Sequence, residues 1–259
     1  MTVAETLRAV VSVVRSLAAY VGVSLWVLLF GPIGMALALG LRRPGILYLL
    51  GRWGVSLGLA AAGIRVDVRG SSLVDHTHGA VYCVNHTSNL EPPIIYMALA
   101  ATHPRLKIVY KAELRTVIPI LRTAFDIVGF VPIQRQNTEQ STQAIERAAL
   151  ALASGDSFMI FPEGTRGRTG KLLPFKKGGF MMAIKAQAPV VPVAIFGAGA
   201  AMRKGSPFIQ PVTVRVEIGR PIPSTGMIVT DRNELIRKSR DALEYQLKSL
   251  SVGESKNLE

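Results

Sequence analysis

The chain has 259 residues, 49% of them hydrophobic, with a mean hydropathy of +0.33 and a formal net charge of +13. That length holds one large domain, or one domain with an appendage; the balance is too apolar for an ordinary soluble protein and too poor in long apolar runs for a polytopic transporter. The positive charge calls for a polyanionic partner, and the apolar N-terminus points away from nucleic acid and toward an anionic membrane, where each surface Lys or Arg contributes about 1 kcal/mol.

From Ser16 to Leu41 no residue is charged. A spanning helix needs about 20 apolar residues, but Gly31-Pro32 interrupts the run, and proline inside a helix is expected to kink or break it. Arg42 and Arg43 follow, then a second apolar stretch from Gly45 to Ile64 that contains only Arg52 as a charge. Arg8, Arg15, Arg65 and Arg69 flank the pair, which favours both ends being cytoplasmic. The reading is a helical hairpin over residues 1–63, inserted shallowly or spanning twice. A secretory signal cleaved after Ala36-Leu37-Ala38 is the rival; hydrophobicity that continues past that point argues against it.

After Arg65 short β-rich runs alternate with helical stretches, which predicts an α/β domain with a mixed sheet over residues 64–259. Strands are expected at Ile64–Val68, Ala80–Val84, Leu106–Tyr110, Ile127–Ile133, Ser157–Phe161, Val190–Phe196 and Val212–Ile218. Helices are expected at Pro93–Ala101, Glu139–Ala153, Gly179–Ala186 and Asp231–Leu250, with a frayed polar tail from Ser251 to Glu259. The single cysteine, Cys83, sits in the apolar run AVYCVN and reads as a buried thiol. One Cys and four scattered His offer no zinc-type spacing, so no metal is expected. His76, His78 and His103 read as loop or surface residues.

Four segments stand out. In Asn85-His86-Thr87-Ser88-Asn89-Leu90-Glu91-Pro92-Pro93 a histidine and a carboxylate lie five apart, about 140° around a regular helix, so the two can meet only across a turn. Such a pair can take a proton from a hydroxyl and stabilise the imidazolium; a solvated strand-to-helix loop is the alternative. Phe161-Pro162-Glu163-Gly164-Thr165-Arg166 ends an apolar strand, with Lys171, Lys176 and Lys177 close behind. Gly164 allows close backbone approach and Arg166 offers a planar fork for phosphate, unless the segment is only a charged surface turn. Gly129-Phe130-Val131-Pro132-Ile133-Gln134-Arg135 reads as a strand ending in an arginine. Val190-Val191-Pro192-Val193-Ala194-Ile195 reads as a buried strand with proline at an edge or bulge. Gly54-Val55-Ser56-Leu57-Gly58 has the hydrolase-elbow spacing, but it lies in the hairpin, away from any strand–turn–helix unit.

NHTSNLEPP, GFVPIQR, FPEGTR and VVPVAIF, in that order, resemble the four blocks of the glycerolipid acyltransferase family, nearest to its bacterial 1-acylglycerol-3-phosphate branch. The similarity covers roughly Ile64 to Pro223 and includes the lysine-containing segment from Lys111 to Leu114. It implies that His86 is the catalytic base. Its partner is Glu91, where the family normally has aspartate, and the extra methylene requires the loop to adjust. It also implies that Arg135, Glu163, Gly164, Thr165 and Arg166, with Lys111 or Lys177, bind the phosphate and glycerol of the acceptor, and that the block of Pro192 lines a substrate pocket. The activity implied is transfer of a fatty-acyl group from acyl-CoA or acyl carrier protein to the sn-2 hydroxyl of 1-acylglycerol-3-phosphate, giving phosphatidic acid. No bound cofactor is expected. The enzyme would sit on the cytoplasmic face of the cell inner membrane, with an anionic lipid surface as partner and no nucleic acid. Acyl transfer to another lysophospholipid or to lyso-ornithine lipid, and an idle lipid-binding homologue, are the rival readings.

Overall fold

Residues Val3–Gly40 form one long helix, α1. The computed structural model describes residues 2–75, 77–117, 119–134 and 138–255. Thr2 and Glu5 close a reciprocal capping box at the start of α1. The helix runs through Pro32, so the break expected at Gly31-Pro32 does not occur. The reason is packing on both sides of the proline, where neighbouring helices hold the turn that lacks one hydrogen bond. Gly31 lies against Ile120, Gly34 against Leu47 and Leu50, and Trp26 Nε1 donates to the Leu50 carbonyl at 3.1 Å.

The second helix, α2 (Gly45–Ala62), returns antiparallel to the first and ends on Gly63 in the left-handed region, φ 72°. A Cβ on Gly54 would come within 2.7 Å of Trp26, and one on Gly58 within 2.8 Å of Val23. Both glycines let the two helices close on one another, and the elbow-like spacing lies in mid-helix.

From Gly63 the chain enters a seven-stranded sheet. In chain order its elements are β1 (Arg65–Arg69), β2 (Val81–Val84), α3 (Glu91–Ala98), β3 (Leu106–Lys111), α4 (Leu114–Val117), α5 (Pro119–Val128), β4 (Val131–Ile133), α6 (Thr138–Ala153), β5 (Ser157–Ile160), α7 (Gly178–Ala186), β6 (Val190–Phe196), α8 (Ala198–Ala201), β7 (Thr213–Ile218) and α9 (Arg232–Ser255). The strand order is β1-β7-β6-β2-β5-β3-β4, parallel throughout except for the antiparallel pair β6–β7. The fold is therefore α/β with a mixed sheet, as the sequence predicts. The C-terminal ends of β2 to β6 share one end of the sheet with the N-terminal ends of β1 and β7.

Two apolar layers sandwich the sheet. On one face Tyr82, Val84, Val193, Ile195 and Val216 pack with Ile94 and Ile95 of α3 and with Ala19, Tyr48 and Ala62 of the hairpin. On the other face Val81, Cys83, Phe158 and Ala194 pack with Leu152 of α6, Phe180 and Ala183 of α7, and Leu235 and Leu243 of α9. β2 and β5 are buried at every residue, which is why they read as continuous apolar runs.

Two boundaries differ most from the sequence reading. The strand expected from Ile127 begins at Val131, because Ile127 and Val128 close α5. The last helix continues past Leu250 to Ser255, so the start of the polar tail is helical.

Among the described residues the outer side of the hairpin has no partner. Leu17, Leu28 and Leu39 of α1 and Trp53 of α2 are each more than 60% exposed, with Leu25, Ile33 and Leu49 only slightly less so. Both helices are long and apolar enough to cross a membrane. The inner side of α2 is bound to the sheet at both of its ends. The Tyr48 hydroxyl donates to the Leu106 carbonyl at 2.6 Å, the Tyr96 hydroxyl donates to the Tyr48 carbonyl at 2.9 Å, and Ala62 is buried in the same core.

Candidate active site

Beyond β2 the backbone turns at Asn85, whose buried side chain continues the ladder to β6. Its Nδ2 donates to the Ile195 carbonyl at 3.0 Å and its Oδ1 accepts the Ile195 N–H at 2.8 Å. This fixes where His86 leaves the sheet. Five residues later α3 begins at Glu91, followed by Pro92 and Pro93, residues suited to a first turn whose N–H groups have no helical partner.

The turn brings the predicted pair together. His86 Nδ1 lies 2.7 Å from Glu91 Oε2. The Thr87 N–H and hydroxyl both donate to the same carboxylate, at 2.8 and 2.6 Å to Oε1. Glu91 is fully buried and its His86 partner is 18% exposed at the side chain. A carboxylate only accepts, so the proton of the neutral imidazole belongs on Nδ1 and the lone pair on Nε2. The Phe161 ring, 4.3 Å from the imidazole centroid to centroid, covers one side of it. The longer reach of glutamate is thus accommodated within the Thr87–Leu90 turn.

Glu163 differs from the expectation drawn from the resemblance. It is buried, and its two oxygens are spent on the protein itself. Oε1 accepts the His86 N–H at 2.7 Å and Oε2 the Leu173 N–H at 2.8 Å. It ties the histidine loop to the segment after the third block. Burial pushes its pKa above the usual carboxylate range, opposed by those two hydrogen bonds. The Gly167 N–H donates to the His86 carbonyl at 2.7 Å, so the loops are joined twice. Gly164, at φ 69°, makes the reversal between them.

Arg166 is half-buried next to that joint, and its guanidinium has no hydrogen bond or ion pair among the described residues; Lys204 donates to its carbonyl at 2.9 Å. Thr165 is exposed beside it. Lys177, exposed, starts α7 near the same loop, since the Lys176 N–H donates to the Pro162 carbonyl at 2.7 Å. Lys111 ends β3, two strands from β2, and pairs with Glu113 at 3.3 Å. Arg135 and His76 lie outside the described residues. Pro192 is buried inside β6 on the α7–α9 side, and its carbonyl accepts the Gly219 N–H at 2.8 Å. β6 is an interior strand, so the edge expected for Pro192 is absent. The missing N–H faces the point where β7 has ended, which is why the proline is tolerated there.

The sequence did not point to three further features. An apolar cavity of about 430 Å³ opens between the hairpin, α3 and α5, lined by Trp26, Tyr48, Gly54, Pro92, Pro93, Ala124 and Phe125 among others. Its wall begins one residue after Glu91. Arg240 of α9 donates to the Leu172 and Leu173 carbonyls, both at 2.9 Å, and so holds the segment that binds Glu163. His103 lies in a turn, as one of the two expectations had it, but is half-buried and packs between Tyr96 at 4.2 Å and Tyr48 at 5.1 Å. Among the described residues no group of His, Cys, Asp and Glu is placed to hold a metal ion.

His86 is oriented by a buried carboxylate, its Nε2 has no partner among the described residues, and Arg166 stands on the neighbouring loop, an arrangement with which an imidazole can take a proton from a hydroxyl. The chain belongs to the acyltransferase family, whose family model, described as Acyltransferase, matches residues 65–196. It is 35% identical over 163 residues to a chloroplast 1-acyl-sn-glycerol-3-phosphate acyltransferase of Brassica napus, covering 61% of this chain and 45% of that one. It is 38% identical over 144 residues to a chloroplast enzyme of the same name from Arabidopsis thaliana, covering 55% and 39%. It is 24% identical over 205 residues to one from Borreliella burgdorferi, covering 79% and 80%. The chain thus spans less than half the length of the two plant relatives. In fold it matches the crystal structure of the 1-acyl-sn-glycerophosphate acyltransferase PlsC of Thermotoga maritima, with a TM-score of 0.81 and 23% identity over 94% of this chain and 98% of that one.

Proposed function

We propose that the protein transfers a fatty-acyl group from a thioester donor, acyl-CoA or acyl carrier protein, to the sn-2 hydroxyl of 1-acylglycerol-3-phosphate, giving phosphatidic acid. The observation that carries this reading is the 2.7 Å contact of His86 Nδ1 with Glu91 beside an apolar cavity. The cavity volume lies within the ~300–1,000 Å³ usual for ligand sites, and an acyl tail matches its lining.

His86 Nε2 takes the proton of the free hydroxyl, and the alkoxide oxygen attacks the thioester carbonyl. Glu91 stabilises the imidazolium, backbone N–H groups stabilise the oxyanion, and the proton returns to the departing thiolate. Arg166, with Arg135 and Lys177, holds the acceptor's phosphate. Residues 1–63 act as the membrane hairpin and 64–259 as the catalytic domain. Because α2 is bound to the sheet at Tyr48 and at Ala62, the hairpin lies along the domain and enters one leaflet with its outer side. The flanking arginines favour the cytoplasmic face of the inner membrane.

The test is acyl transfer from labelled oleoyl-CoA to lysophosphatidic acid in micelles, wild type against His86→Ala. Phosphatidic acid formed by the wild type and lost in the variant is the expected result. Product that survives the substitution would overturn the mechanism.

A further inference from the structure

A second polar cleft of about 430 Å³ opens where the hairpin meets the sheet edge, lined by Arg15 of α1, Ala60 and Gly63 at the end of α2, Arg65 of β1, and Pro211 and Thr213 before and in β7. It lies at the same end of the sheet as His86, because β1 and β7 begin where β2 and β6 finish. Three inter-strand steps separate β1 from β2, about 14 Å at ~4.8 Å each, so the cleft is separate from the acceptor site.

Neither guanidinium makes a hydrogen bond or ion pair among the described residues. Asp67, the nearest carboxylate along β1, is paired with Arg69 at 3.7 Å. Arg15 is held in place, lying so close over Gly63 that a Cβ there would meet its Nη1 at 2.2 Å. The α1 turn that carries it is locked to the 207–210 segment, with the Ser12 hydroxyl donating to the Ile209 carbonyl at 2.9 Å and the Ile209 N–H to Ser16 Oγ at 2.7 Å. Two arginines with unspent donors therefore line one cleft, a composition suited to phosphate. Its surroundings are apolar. Val14, the residue before Arg15, is 60% exposed, and Leu57, one turn before Ala60, is 41% exposed.

We propose that this cleft binds the phosphate of an anionic membrane phospholipid, whose tails lie along the exposed side of α1 and α2. The site is additional to the acceptor site and does not depend on the acyl-transfer reading.

The test is native mass spectrometry of the detergent-purified full chain titrated with phosphatidylglycerol. The wild type is expected to retain one molecule, Arg15→Gln/Arg65→Gln to retain it about tenfold less well, and His86→Ala to behave as the wild type. Arg15→Lys/Arg65→Lys keeps the charge but loses both forks and should recover only part of the binding; retention by the glutamine pair equal to that of the wild type would overturn the proposal, as would equal retention of phosphatidylcholine. Millimolar inorganic phosphate should leave the lipid bound. Displacement by it would mean that the cleft takes a free anion, and the lipid assignment would fall. A loss in His86→Ala alone would place the bound lipid in the acceptor site.

Discussion

Glu163 and His86 are joined through the backbone: the carboxylate accepts the histidine's main-chain N–H at 2.7 Å and leaves its imidazole to Glu91. Replacing Glu163 by Gln keeps the shape but points an NH₂ group at one of two N–H donors, so one buried contact turns repulsive. Glu163→Gln is expected to lower kcat about 10- to 100-fold with KM for the acceptor nearly unchanged. Steady-state kinetics that instead showed a raised KM alone would assign the residue to ligand binding.

Glu91 takes three donors, from His86 and from both the N–H and the hydroxyl of Thr87. Glu91→Gln should cost about 10²–10⁴ in kcat, the range expected when a general base loses its correct tautomer. Glu91→Asp shortens the reach and should cost about tenfold. A faster aspartate variant would mean that the Thr87–Leu90 turn is not fitted to glutamate.

Arg240 holds the Leu172 and Leu173 carbonyls from α9 and stacks over Phe175, with its guanidinium carbon 5.4 Å from the ring centroid. Arg240→Met removes both contacts at a partly exposed site, a loss of about 1–2 kcal/mol. Thermal unfolding should show Tm lower by a few degrees, together with a modest fall in kcat as Leu173 releases Glu163. Unchanged turnover would cut the proposed link between α9 and the histidine.

Burial, followed by the charge of Arg52, lowers the pKa of His103 to about 4, below its ordinary 6.5. The unfolded chain therefore takes up this proton first as pH falls, and folding stability is lost between about pH 6.5 and pH 4 while being fully present above that window. Allowing for partial exposure, the loss is about 1–2 kcal/mol. Unfolding in detergent at pH 5 and 7.5 should show it, and His103→Gln should flatten the difference.

Ala124 lines the apolar cavity from α5. Ala124→Phe fills part of the space meant for a tail and should shift acyl preference toward shorter chains. Competition between long and short acyl-CoA donors reads this directly, and an unchanged product profile would remove the cavity from acyl recognition.

The sheet was largely legible because β2, β5 and β6 are buried on both faces and carry continuous apolar runs. The helix α5 escaped notice although its signals are present: Pro119 stands at its first position, and Ile120, Leu121, Ala124, Phe125 and Val128 recur with helical spacing. The run from Ile127 to Ile133, apolar apart from Gly129 and Pro132, resembles a strand and masks that spacing. The His86–Glu91 pair could be read from a polar turn ended by two prolines. The role of Glu163 could not, since its partners are main-chain N–H groups 77 and 10 residues away and carry no side-chain signature. Nor could the unbroken course of α1 past Pro32, which depends on contacts from α2 and α5.

Strand β1 follows the hairpin directly, yet among the described residues its only neighbour in the sheet is β7, the last strand in sequence order. During synthesis the hairpin therefore leaves the ribosome long before β1 has anything to pair with. The apolar helices can settle into the lipid first, holding β1 as an open edge at the bilayer, and arrival of the segment from Thr213 to Ile218 closes the sheet. Entry of the hairpin into lipid, as proposed, and completion of the sheet are thus separated in time by the order of the strands.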